Sequence, residues 1–132
     1  MQSITLSVDE FDKILAATPD YPSPRASRAV NDYIHETLRN AEDRSQAGLD
    51  FTTAGDILED ARTRVIRHPD SSVERVTRYA TEQNLGEGSP VDEQIRDIIG
   101  SVLKHEHPTV LLSILADYFR YIGHVIFVAE DE

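Results

Sequence analysis

The stretch PTVLLSILADYFRYI, residues 108–122, is apolar around most of the helix it predicts. Leu111, Leu112, Ile114, Leu115, Tyr118, Phe119 and Ile122 point in nearly every direction, and Pro108 suits the first helical position. A helix of this kind is the centre of a bundle or half of an oligomer interface. The fold class follows: all-α, a compact bundle of five or six short helices around a central C-terminal helix. Gly123 is expected to interrupt that helix, and residues 125–128, β-branched and aromatic, read as a short strand. Its natural partner is the alternating run Ile4, Leu6 and Val8, which gives a small two-stranded pairing of the termini.

Working back along the chain, Val91, Ile95, Ile98, Ile99, Val102 and Leu103 form a stripe from a Ser89–Pro90 opening down to Lys104. Ser71 or Ser72 caps a helix to about Asn84, with Val73, Val76, Tyr79 and Ala80 inward. Thr53 with Asp56 reads as a capping box for a helix over residues 54–67 through Ile57, Leu58, Ala61 and Val65; Pro69 ends it. The clearest amphipathic segment runs from Pro24 to about Gln46. Its apolar stripe includes Val30, Tyr33, Ile34, Leu38 and Ala41, its polar face Arg28, Asp32, His35 and Arg39, and Gly48 ends it. Ser7 with Glu10 is a further capping box, opening a helix over residues 8–17. No linker or repeat divides the chain, so residues 1–132 read as one acidic helical domain.

Twenty-four acidic residues against 13 basic give a net charge of −11. The absence of cysteine removes disulfides, thiolate zinc sites, iron–sulfur clusters and a cysteine nucleophile. Eleven of the 13 basic residues are Arg and two are Lys. That balance suits a surface kept soluble in a salt-rich cytoplasm; a GC-rich genome would produce it as well. No cationic start leads into an apolar run, and the C-terminal apolar stretch carries Asp117, Arg120 and His124, a poor membrane span. A cytoplasmic protein is expected, with nucleic acid and anionic membranes disfavoured as partners because both call for a cationic footprint.

Two groups of residues stand out. Ser113, Asp117, Arg120 and His124 recur at i, i+4, i+7 and i+11, a narrow polar stripe bordered by Tyr121. An acid, a cation, an imidazole and a phenol in line can orient a small anion or carry acid–base chemistry. The stripe is equally the exposed edge of the helix or an ion-pair network across a two-fold interface. The second group, Arg62, Arg64, Arg67, Arg75 and Arg78, makes residues 62–85 the only locally cationic stretch. Its two helices have a loose helix-turn-helix look, although the turn holds Pro69 and Asp70.

Metal chemistry finds little support. His105 and His107 lie about 200° apart on a helix, and Asp32 with His35 sits on a polar face without a Glu-x-x-His pair to complete it. No Gly-rich phosphate loop or nucleophile elbow is present. No cofactor is expected and catalysis is the less favoured reading. The leading expectation is a small non-enzymatic interaction or adaptor protein that presents carboxylates to a basic partner and dimerises through its C-terminal helix. A dimeric helical DNA-binding regulator, or a ligand or enzyme site on the last helix, is the alternative.

Overall fold

A computed structural model describes residues 24–130, with side-chain surroundings over residues 28–126. Among the described residues five helices follow one another: α1 Pro24–Asn40, α2 Arg44–Arg67, α3 Val73–Leu85, α4 Glu93–Val102 and α5 Pro108–Glu130. The all-α bundle is as expected, and no strand occurs among the described residues. The stretch at Ile4 to Val8 and the helix over 8–17 lie outside the described residues. Residues 125–128 do not form the other half of a pairing: α5 runs through them, and Ile126 is buried in the core.

Interior packing begins with α1, which turns Ala29, Val30 and Ile34 inward and leaves Asp32, His35 and Arg39 exposed. It ends at Asn40, six residues before the expected stop. Asp43 is extended (φ −152°, ψ 178°) and its carboxylate accepts the Gln46 N–H at 2.8 Å, which opens α2. A cap at Asp43 and continued helix are mutually exclusive, and the cap wins. Gly48 and Thr53, read as a terminator and an N-cap, therefore lie inside a 24-residue helix. A similar shift occurs at α4. Asp92 caps it through Oδ1, 2.9 Å from Gln94 N and 3.0 Å from Ile95 N, whereas the Ser89 hydroxyl donates back to the Leu85 carbonyl at 2.8 Å.

The bundle is built on the pair α2 and α5, the most extensively packed helices of the fold. α2 also touches α1, α3 and α4, so the centre is shared between these two helices rather than held by the last one alone. Phe51 of α2 and Phe119 of α5 stack at 6.4 Å between centroids, and Tyr33 of α1 meets Phe119 edge-on at 5.4 Å. Leu58, Leu112, Leu115 and Ile122 fill the rest of the seam, and Ile95, Ile98 and Ile99 close the α4 side.

Small residues set how near the two helices come. A Cβ on Gly123 would lie 2.9 Å from both the Gly48 carbonyl oxygen and Thr52 Oγ1. A Cβ on Gly55 would lie 2.9 Å from the Ala116 oxygen and 2.8 Å from Arg120 Cγ. Gly48 and Gly55 are seven apart, as are Ala116 and Gly123, so the antiparallel helices approach backbone to backbone at two successive levels. Gly123 does not interrupt α5; it is the contact point that the packing requires. Residues 108–126 are long and apolar enough to cross a bilayer, but Leu112, Leu115, Phe119, Ile122 and Ile126 are committed to this core.

Candidate functional site

With one side of α5 bound to α2, the other side faces outward as a line of Val110, Ile114, Asp117, Tyr121 and His124. Val110 is 55 % exposed, Ile114 38 % and Tyr121 44 %. Of the polar stripe read in the sequence, Asp117 and His124 lie on this outward line, and they share it with three large apolar groups.

Arg120 leaves this strip for α2. Its Nη2 and Nε lie 2.9 and 3.3 Å from Asp56 Oδ1, and Asp117 stands at 3.9 Å from Nη1. Gly55, one residue before Asp56, leaves the space that the stem of Arg120 crosses. Ser113 is half-buried and lines a shallow cleft of about 210 Å³ with Arg62, Thr109, Val110 and Ile114. Tyr121 and His124 stand on the open surface. The aligned set is therefore split three ways: a cation in an inter-helix ion pair, a serine at a cleft edge, and a phenol and an imidazole in solvent.

The five arginines of the cationic stretch separate as well. Arg62 belongs to the α5 side, where Nη1 is 3.3 Å from Glu59 Oε1 and Nε is buried with no acceptor. Arg78 lies 3.9 Å from Glu82 on its own helix. Arg64, Arg67 and Arg75 stay together, around a cleft of about 460 Å³ at the corner between α2 and α3.

A third concavity was not anticipated. Tyr33, Glu36, Glu42, Asp50 and Asp92 line a cleft of about 510 Å³ between α1, α2 and α4. Three of its carboxylates already serve the fold: Glu36 accepts from Gln94 at 2.7 Å, Asp50 from Gln46 at 2.9 Å, and Asp92 caps α4. The Tyr33 hydroxyl donates to the Asp50 carbonyl at 3.5 Å, and burial, reinforced by Asp92, pushes the phenol well above its ordinary pKa. The only sequence trace of this cleft is the acidic character of residues brought together from three separate segments.

Among the described residues no three His, Asp or Glu side chains converge as a metal site would need, and His105, Glu106 and His107 occupy the turn before α5. Comparison of the chain with protein families, with curated proteins and with solved structures finds no match.

Proposed function

We propose that the protein is a non-enzymatic interaction module, an acidic helical adaptor that pairs with a second copy of itself through the outer strip of α5. The observation that carries this reading is the row Val110, Ile114 and Tyr121, large apolar side chains exposed in line on one helix. Single exposed apolar residues are ordinary; three on one helical line, interrupted by Asp117 and rimmed by Ser113 and His124, resemble the apolar centre and polar border of an interface. An antiparallel pairing across a two-fold axis sets the Val110–Ile114 end of one copy against the Tyr121–His124 end of the other, so the same strip is complementary to itself. The remaining acidic surface is then free to meet a basic partner.

Light scattering over a range of concentrations tests it. Wild type is expected to move from 14.8 kDa towards twice that mass, and to do so at lower concentration in about 1 M salt, where the Debye length of about 3 Å screens the −11 charge on each copy. Ile114→Glu and Tyr121→Glu should remain monomeric, with the unfolding midpoint that wild type shows at concentrations too low for pairing, because both positions are exposed in the single copy. A wild-type mass fixed at 14.8 kDa up to about 1 mM, an association weaker than roughly −4 kcal/mol, overturns the pairing.

A further inference from the structure

In a chain with nearly two acids for every base, cations would be expected to find carboxylates. At the α2–α3 corner they do not. Among the described residues no carboxylate pairs with Arg67 or Arg75, and both face the same cleft as Arg64 and His68. The lining contains one carboxylate, Asp70. The local charge is thus positive inside a strongly negative molecule.

The arginines are not equally free. Arg64 Nε donates to Ser71 Oγ at 3.3 Å, and its guanidinium carbon stands 5.4 Å from the centre of the Tyr79 ring. A hydroxyl at one edge and an aromatic face behind it hold that side chain in one orientation, with its terminal nitrogens left for another acceptor. Arg67 and Arg75 reach the cleft from the last turn of α2 and the first turn of α3. The 13-residue α3 begins at the rim, capped by Ser72, and adds the positive end of its backbone dipole.

We propose that this corner binds a small phosphate-type oxyanion, held by the guanidinium groups of Arg64, Arg67 and Arg75. Guanidinium matches phosphate in geometry through paired N–H donors, and three of them can surround a dianion. The volume, about 460 Å³, exceeds that of a lone phosphate and leaves room for the remainder of a small phosphorylated molecule. A small ligand is favoured over a nucleic-acid backbone by the field of the whole protein. A duplex would bring many phosphates against the −11 surface, whereas a single phosphate group samples only the corner.

The test is an NMR titration of isotopically labelled protein with inorganic phosphate and with pyrophosphate, ionic strength being held constant with chloride. Saturable shifts are expected in the Nε–H signals of Arg64, Arg67 and Arg75 and in the amides of residues 71–75, with pyrophosphate the tighter ligand. Arg67→Ala and Arg75→Ala should each weaken binding by about fivefold or more, the loss of a charge-assisted contact near the surface. Neither side chain supports another, so the unfolding midpoint should stay in place. Arg39→Ala, on the exposed face of α1, should bind as wild type does. Ile114→Glu should also bind normally, which separates this site from the pairing of α5. Shifts reproduced by chloride alone, unchanged affinity in Arg67→Ala and Arg75→Ala, or tighter binding of duplex DNA than of pyrophosphate through these arginines would each overturn the proposal.

Discussion

Glycine inside a helix costs about 1 kcal/mol relative to alanine, yet α2, α4 and α5 all contain one or more. Gly123 and Gly55 are needed because a Cβ at either would press on backbone oxygen at 2.9 Å. Gly100 has no such neighbour: a Cβ there would meet the Val73 methyls at 3.5 and 3.9 Å, an ordinary contact. Gly123→Ala is therefore expected to destabilise the fold by about 1–3 kcal/mol through overpacking. Gly100→Ala should stabilise it by about 0.5–1 kcal/mol through a better helix former and a less flexible unfolded chain. Urea denaturation of both variants measures the contrast, and equal signs would contradict it. Tyr33 offers a second handle at this scale. Burial raises its phenol pKa in the folded state, so folding favours the protonated form. That contribution is complete below the unfolded pKa of about 10 and is lost as pH rises through the folded value. Tyr33→Phe, which gives up the long hydrogen bond to the Asp50 carbonyl and the one with the Thr37 side chain, should cost about 1 kcal/mol near neutrality and lose less further stability than wild type on going to about pH 11. Denaturation of both proteins at the two pH values checks it.

At the scale of the helices, what could be read in advance was orientation rather than limits. Val30, Ile34, Val76, Ala80, Ile95, Ile98, Leu112 and Phe119 recur at helical spacing and are buried as that spacing implies. The starts of α2 and α4 were misplaced because several residues there are equally good caps by type. Thr53 followed by Asp56 has the form of a capping box, but Asp56 is directed at Arg120, 64 positions away. Gly48 has the form of a terminator, and only the approach of α5 explains why a helix keeps it. The valines and isoleucine of 125–128 have strand propensity, and burial of Ile126 in the core as part of the continuing helix overrides it. The polar alignment on α5 was legible as spacing; the departure of Arg120 from it was not, since its partner belongs to a distant segment. The cap assignment is testable. Asp43→Ala should cost about 1 kcal/mol through the lost bond to the Gln46 N–H, and Thr53→Ala less than about 0.5 kcal/mol. Helicity and denaturant midpoints of the two variants decide between Asp43 and Thr53 as the start of α2.

For the molecule as a whole, charge is the dominant imbalance. The ion pairs of the described residues tie Arg62, Arg78, Arg96 and Arg120 to carboxylates, with side chains about a third or more exposed except at Glu82, so each contributes little. Each pair joins one cation to one carboxylate and leaves the net −11 unchanged. Screening relieves that self-repulsion, and the thermal midpoint should rise by several degrees between about 0.1 and 2 M KCl, as the Debye length falls from about 10 Å to below 3 Å. A flat or falling midpoint in a melting series would show that the surface charges are already neutralised. The glycine-lined approach of α2 to α5 bears on a different property, the order in which the chain assembles. Its contacts join positions more than sixty residues apart, whereas α2 and α3 meet across a short turn. The α2–α3 hairpin can form and dissolve locally, but the seam forms only when the intervening chain has made its whole excursion and returned, against the entropy of closing that loop. The rate of folding is therefore governed by this homecoming of α5 rather than by the speed with which any helix winds, and a nascent chain that has not yet delivered α5 leaves the apolar face of α2 uncovered.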